Sequence, residues 1–192
     1  MTFRPATPSR WPDIETLFGE RGACGGCWCM YWLRPRSQWV AGKGAGNKRA
    51  LRRVVGSGAR PGVIGYLDGQ PVAWCAVAPR ERYSGLRRSR VLRPVDEAPV
   101  WSITCLFVLR PYRRQGISIR MLRAAVAFAA KKGAAIVEGY PVVPTMARTP
   151  DAFVYTGVPS AFLAAGFREV LRRSRTRPIM RITIRRRSIA RA

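Results

Sequence analysis

The stretch between residues 100 and 138 constrains the fold more than any other part of the sequence. Val100–Leu109 is almost entirely apolar, which predicts a buried central strand. Gly116–Lys132 predicts a helix, because apolar residues recur there every three or four positions. The residues predicted to face inward are Ile117, Met121, Ala125 and Phe128. Ala134–Val137 predicts the next strand, so the stretch forms a strand–turn–helix–strand unit.

The turn between this strand and helix, Arg110–Gln115, is basic and leads into a glycine. Gly116 lets the backbone approach a ligand without a Cβ clash, and Arg113 and Arg114 add positive charge. The first N–H groups of a helix lack intrahelical partners, and the helix dipole favours negative charge beside them. The sequence therefore predicts a site for a phosphate or pyrophosphate, with an ordinary capped helix as the alternative.

The remaining elements predicted from periodicity and turn signals surround this unit. Helices are predicted at residues 9–18, with Ser9 as N-cap, at Gly46–Val55 and at Pro159–Ala165. Strands are predicted at Val63–Leu67, Val72–Ala78, Phe167–Leu171 and Ile179–Ile184, the first two joined by an Asp68-Gly69 hairpin turn. The other segments are predicted to be a loop or short helix at 19–46, a basic loop at 80–93 and a long binding loop at 139–158.

The strong positive charge of the chain indicates a polyanionic partner. The sequence has 35 Lys and Arg, 10 Asp and Glu and no His, which gives a net charge of +25. The absence of His excludes Ser-His-Asp triads, Cys-His pairs and imidazole metal ligands. Nucleic acid, an anionic membrane surface or a phosphorylated ligand would relieve the self-repulsion. A generally basic protein without such a partner is the alternative.

The cysteines do not predict a metal site. Cys24-x-x-Cys27-x-Cys29 lacks a fourth ligand, because His is absent and Cys75 and Cys105 fall in predicted core strands. The odd number of five cysteines predicts reduced thiols. No segment predicts secretion or membrane insertion, so we expect a cytoplasmic protein.

The motifs resemble the GNAT superfamily of N-acetyltransferases. Its signature, Arg/Gln-x-x-Gly-x-Gly/Ala at the start of a helix, matches Arg113-x-x-Gly116-x-Ser118, with Ser in the last place. Ala165-Gly166-Phe167 matches the Gly-Phe that begins the penultimate strand of the family. Segments resembling one bacterial subgroup are Cys27–Trp32, Ala78–Tyr83 and Glu138–Pro141.

The resemblance implies an α/β (α+β) fold with a mixed, mostly antiparallel, splayed central sheet and about four flanking helices. One domain is expected over residues 1–184, followed by a basic tail at 185–192. The resemblance also implies acetyl-CoA or another acyl-CoA as cofactor, an amine as acceptor and no metal. The N–H of Phe107 or Val108 would polarise the thioester carbonyl. The expected cofactor-binding residues are Leu106, Phe107, Val108, Arg113, Arg114, Gln115, Gly116, Ile117 and Ser118.

Such a transfer also needs residues that move protons. Glu138 is the candidate base, acting through water, and an ion pair with one of the many Arg is the alternative. Many family members protonate the leaving thiolate with a Tyr at a position that is Phe162 here. This departure leaves Tyr155, Tyr140 or solvent as the acid.

The excess charge keeps a second donor open: an RNA-associated acyltransferase that uses an aminoacyl-tRNA. A non-enzymatic basic binding module on the same fold is a third interpretation. The sequence does not indicate the acceptor or the oligomeric state. The residues expected to contact substrate or RNA are Trp28, Tyr31, Trp32, Arg80, Arg82, Tyr83, Arg87, Arg88, Arg172 and Arg173.

Overall fold

A seven-stranded sheet with helices on both faces organises the chain, and the computed structural model describes residues 1–146 and 149–184. The strands are β1 (Thr2–Pro5), β2 (Gly62–Leu67), β3 (Gln70–Pro79), β4 (Trp101–Val108), β5 (Ile136–Gly139), β6 (Arg168–Arg172) and β7 (Pro178–Thr183). The helices are α1 (Trp11–Phe18), α2 (Arg36–Ala41), α3 (Ala45–Gly56), α4 (Ser84–Arg87), α5 (Ile117–Lys131) and α6 (Pro159–Ala164). The predicted tail at 185–192 lies outside the described residues.

The sheet is mixed, mostly antiparallel, and opens in the middle. Its strand order is β1-β2-β3-β4-β5-β7-β6, and β4 runs parallel to β5. Their pairing joins Trp101–Ile103 to Val137–Gly139 and then stops, while β4 continues past a bulge at Thr104 to Val108. This confirms the predicted splayed sheet. The second half of β4 therefore has a strand on one side only.

Two hydrophobic clusters cover the two faces of the sheet. The side chains of β3 alternate between them, as a strand requires. Cys75 and Val77 pack with α5, whereas Trp74 and Ala76 pack with α1 and α3. Because both faces are buried, β3 has the continuous apolar sequence of a central strand.

The buried face of α5 differs slightly from the predicted one. Ile117, Met121 and Ala125 are buried as predicted, and Leu122 and Ala129 complete the face. The fourth predicted residue, Phe128, is only half-buried and packs edge-on against Trp101 at a ring distance of 6.0 Å. The apolar stripe is therefore rotated toward Leu122, because the helix contacts α6 as well as the sheet.

Several short elements were not predicted by local signals. β1 is a four-residue edge strand, and α4 lies in a segment predicted to be a loop. α1 begins at Trp11, and the Ser9 hydroxyl bonds to Thr7 at 3.0 Å instead of capping the helix. Such short elements gain most of their stability from tertiary packing. Among the described residues, no helix is both long and apolar enough to cross a lipid bilayer.

Gly139 tests how tightly β5 packs against α6. A Cβ at this position would lie 2.0 Å from Cε1 of Phe162, which is fully buried. We expect Gly139→Ala to lower the free energy of unfolding by about 1–3 kcal/mol in urea denaturation. The matched control is Gly46→Ala in α3, where a Cβ meets open space and better helix propensity should raise stability by up to about 1 kcal/mol. Unchanged stability of Gly139→Ala would contradict this packing.

Candidate functional site

A cavity of about 420 Å³ lies where β4 has separated from β5. Its walls are the end of β4, the turn that leads into α5, and residues 151–158, with Ala23 and Cys24 on another side. All of the predicted cofactor-binding residues except Gln115 line this cavity. The Gln115 amide instead donates to the Pro111 carbonyl at 3.2 Å.

The turn before α5 presents backbone N–H groups to the cavity. Arg114 and Gly116 have left-handed φ angles of 61° and 70°, and Gly116 is the N-cap of the helix. No side chain caps this helix start, so the amides of Ile117 and Ser118 precede the first intrahelical bonds. Uncapped N–H groups at a helix N-terminus bind anions through their own partial charge and the helix dipole. The turn therefore has free backbone donors of the kind that can bind a phosphate.

The register of β4 decides which of its N–H groups face the cavity. The Leu109 N–H donates to β3 at 3.0 Å, whereas the Leu106 N–H donates to the Tyr155 carbonyl across the opening at 2.6 Å. Successive N–H groups of a strand point to opposite sides, so that of Val108 faces the opening and that of Phe107 faces β3. Of the two predicted donors to a thioester carbonyl, the geometry therefore favours Val108 over Phe107.

The turn and the end of β4 are tied together by one arginine. Arg113 Nε donates to the Val108 carbonyl at 2.9 Å, and its Nη1 binds the Asp151 carboxylate. The Arg113 side chain is one-third exposed and lines the cavity. The turn thus holds one cation in a fixed place beside the helix start.

The predicted base lies in a buried charge network instead of the cavity. Glu138 is 1% exposed and accepts hydrogen bonds from Arg181 Nε at 2.7 Å and from Tyr140 Oη at 2.7 Å. Arg80 Nη1 lies 3.5 Å from the same carboxylate and donates to Tyr140 Oη at 2.5 Å. Neither Glu138 nor Tyr140 lines the cavity. Because both carboxylate oxygens already have donors, this placement does not fit the proton-transfer roles predicted for the two residues.

Tyr155 is the one predicted proton donor that lines the cavity. Its ring lies 6.0 Å from that of Tyr31, and burial raises the pKa of its phenol, a shift that the nearby charge of Arg177 opposes. Phe162 is fully buried, packs edge-on against Phe167 at 5.0 Å and has no proton to give. Of the two tyrosines predicted as acids, Tyr155 is therefore the one in the cavity wall, which also contains Tyr112 and Cys24.

Two aromatic residues predicted to contact substrate or RNA are core residues instead. Trp28 is 3% exposed and stacks on Trp11 at a ring distance of 6.1 Å. Tyr83 is 1% exposed, and burial raises the pKa of its phenol well above the usual value. The corresponding expectation stays open for Tyr31 and Trp32, which are half-buried and lie edge to face at 5.0 Å.

Three of the arginines predicted to contact substrate or RNA have partners inside the molecule. Arg80 belongs to the Glu138 network, and Arg172 pairs with Glu169 at 2.6 Å. Arg173 donates to the backbone carbonyls of residues 93 and 94 at 2.6 and 2.9 Å, which fixes the β3–β4 loop. Arg82, Arg87 and Arg88 are exposed, and so is Arg172 despite its pair with Glu169.

The cysteines of the N-terminal motif occupy different environments. Cys24 is exposed at the cavity, while Cys29 is buried and accepts a hydrogen bond from Trp74 Nε1 at 3.2 Å. Burial raises the pKa of the Cys27 thiol. Within residues 1–146 and 149–184, no group of three or more Cys, His, Asp or Glu is arranged to hold a metal ion.

Sequence reasoning missed Asp151, Arg177 and Arg181. Arg181 lies directly opposite Glu138 in the β5–β7 register, and a cation within an apolar strand is a signal that could have indicated a buried acidic partner. Arg177 donates to the Tyr140 carbonyl at 3.1 Å, which joins the β6–β7 turn to the end of β5. Asp151 gives no local signal, because only the fold brings it to the turn before α5.

Comparisons with known proteins give one family model and several solved structures of similar fold. The model of the acetyltransferase (GNAT) family matches residues 24–141. The PaiA N-acetyltransferase of Thermoplasma acidophilum in complex with coenzyme A has a similar structure, at 10% identity and a TM-score of 0.54, covering 95% of this chain and 98% of that one. A GNAT acetyltransferase of Listeria monocytogenes is similar at 8% identity and a TM-score of 0.56, over 95% and 94%.

The ribosomal-protein-alanine N-acetyltransferase of Brucella melitensis is similar at 13% identity and a TM-score of 0.52, over 96% of this chain and 100% of that one. At these identities the structures show a shared fold. None of the curated proteins compared with the chain matches its sequence.

Glu138→Gln separates a structural role of the buried network from a catalytic one. Neutralising Glu138 removes the buried carboxylate from Arg80 and from Nε of Arg181, while the terminal nitrogens of Arg181 keep Asp96 as a partner. We therefore expect the free energy of unfolding to fall by up to about 3 kcal/mol. Urea denaturation measures this loss. The control is Glu169→Gln, which breaks an exposed pair and should leave stability nearly unchanged. A Glu138→Gln protein of wild-type stability would contradict the structural role.

Proposed function

Because this chain belongs to the GNAT acetyltransferase family, we propose that it transfers an acetyl group from acetyl-CoA directly to an amine. One observation carries the proposal: the uncapped start of α5 and the unpaired edge of β4 meet in a single cavity. Such a cavity offers a phosphate-binding turn at one end and strand hydrogen bonds at the other. This is the arrangement that an elongated ligand with a diphosphate and amide groups requires.

The residues of the cavity fit such a ligand. The amides of Ile117 and Ser118 and the guanidinium of Arg113 would hold the diphosphate, and a Cβ-free Gly116 leaves open space beside it. The Val108 N–H would donate to the thioester carbonyl. Because acetyl-CoA already carries an activated acetyl group, the task of the protein is to position the thioester and polarise its carbonyl.

The proton steps use few groups of the chain. A free amine has a pKa of about 10 and must lose a proton before it attacks. Among the described residues the cavity wall holds one carboxylate, Asp151, which is already paired with Arg113. We therefore assign the amine proton to water and the protonation of the departing thiolate to Tyr155, whose phenol lines the cavity and is protonated at neutral pH.

Gly116→Asp tests whether the turn binds the cofactor. Acetyl-CoA at 100 times its Kd should stabilise the wild-type protein by about 2.7 kcal/mol, which thermal unfolding reports as a raised Tm. In Gly116→Asp the added carboxylate faces the phosphate site, and this shift should disappear. Gly133→Asp is the matched control, because Gly133 has a similarly left-handed φ of 87° at the opposite end of α5 but does not line the cavity.

The same measurement addresses the alternative donor. The net charge of +25 is the observation that favours an RNA-linked acyl donor. Stabilisation by an aminoacyl-tRNA, with no response to acetyl-CoA in either the wild type or Gly133→Asp, would replace acetyl-CoA as the proposed donor.

Tyr155→Phe tests the proposed acid. Removing one hydroxyl should lower kcat about 10- to 100-fold and leave the Kd for CoA unchanged, because the contact of residue 155 with β4 is made by its backbone carbonyl. Release of free thiol from acetyl-CoA in the presence of a panel of amines measures kcat. Tyr140→Phe is the control, for which we expect reduced stability and retained kcat, since its hydroxyl belongs to the Glu138 network. A Tyr155→Phe enzyme with wild-type kcat would contradict this assignment.

A further inference from the structure

The segment 151–157 makes contacts at both ends of the cavity. At one end the Asp151 carboxylate binds Arg113 of the turn before α5. At the other end the Tyr155 carbonyl accepts the Leu106 N–H, at 2.6 Å, on the unpaired edge of β4. The segment thus already supplies a hydrogen-bond acceptor to the Arg113 guanidinium and another to the Leu106 amide. Both Arg113 and Leu106 line the cavity.

At the turn, Asp151 and an incoming anion compete for the same cation, Arg113. Arg113 is a cation fixed beside an uncapped helix start, and a phosphate or a carboxylate can serve as its partner there. Asp151 is the carboxylate that the described cavity wall places beside it. A diphosphate entering the cavity competes with Asp151 for Arg113 and also experiences repulsion from this carboxylate.

The contact between Asp151 and Arg113 can break while the Gly157 end of the segment stays in place. The Asp151 side chain is 70% exposed, and the adjoining Phe153 is 65% exposed, so few buried contacts hold this part. The C-terminal end of the segment is fixed by a hydrogen bond from the Val142 N–H to the Gly157 carbonyl, at 2.9 Å. Exposed ion pairs are weak, which allows a bound anion to replace this one.

We propose that Asp151 is an affinity-setting residue of the cofactor site, which weakens the binding of phosphate-bearing ligands by occupying Arg113. The inference rests on the proposed function, because it takes the cavity to be the site of a CoA ligand. It assigns to a residue outside the family motif a specific effect on the phosphate end of the ligand. Ligands without the diphosphate should not sense this effect.

Calorimetry with CoA and with pantetheine, which lacks the diphosphate, tests the proposal. We expect Asp151→Asn to bind CoA roughly three- to tenfold more tightly than the wild type and to bind pantetheine equally well. Glu169→Gln is the matched control, since it removes the same charge from an exposed Arg pair away from the cavity, and its Kd for CoA should stay at the wild-type value. In an Arg113→Met background, Asp151→Asn should lose most of its effect.

Each outcome identifies which idea fails. Equal or weaker binding of CoA by Asp151→Asn, or an equal gain for pantetheine, would overturn the role of Asp151 and leave the proposed function intact. Failure of the wild type and all folded variants to bind CoA would overturn the proposed function itself. Thermal unfolding of each variant without ligand establishes that it is folded.

Discussion

The functional end of this protein depends on the place where β4 and β5 stop sharing hydrogen bonds. Beyond Ile103, β4 continues for five residues with a neighbouring strand on one side only. Backbone polar groups at such an edge need partners, and an exposed edge invites pairing with other chains. Here the Tyr155 carbonyl and the Arg113 side chain supply two of those partners. The same edge, set against the start of α5, forms the cavity from which the proposed acetyl transfer was inferred.

Part of the unusual charge has a structural use. Arg173, Arg177 and Arg181, in β7 and the turn before it, each bridge to another segment: the β3–β4 loop, the end of β5 and the buried Glu138. A guanidinium has five donors in a plane, so one Arg can satisfy several acceptors from different segments, which Lys cannot do in the same way. Part of the net charge therefore serves to hold neighbouring segments of the fold together.

The parts of the fold that could be predicted were those with a strong local signal. The Asp68-Gly69 pair adopts left-handed φ angles of 48° and 81°, as its hairpin turn requires, and the glycine-containing turn before α5 leads into the helix expected from its apolar spacing. The parts that could not be predicted depend on distant partners. Trp28 could equally have faced a ligand, and only the packing of α1 against the sheet buries it.

The sequence by itself predicted most helices and strands and the glycine-containing turn before α5, because periodicity and turn residues act over a few neighbouring positions. The GNAT fold was predicted from the resemblance of the Arg113-x-x-Gly116 motif to that family. The tertiary structure decided the chemical environment of each side chain. The sequence around Glu138 fits either a base or an ion-pair partner. The β5–β7 register then places Arg181 directly opposite it. Asp151 carries no motif, and the course of the chain after β5 brings it to Arg113. Protonation, burial and charge pairing depend on residues far apart in the chain, so they become defined when the strands and loops are assembled.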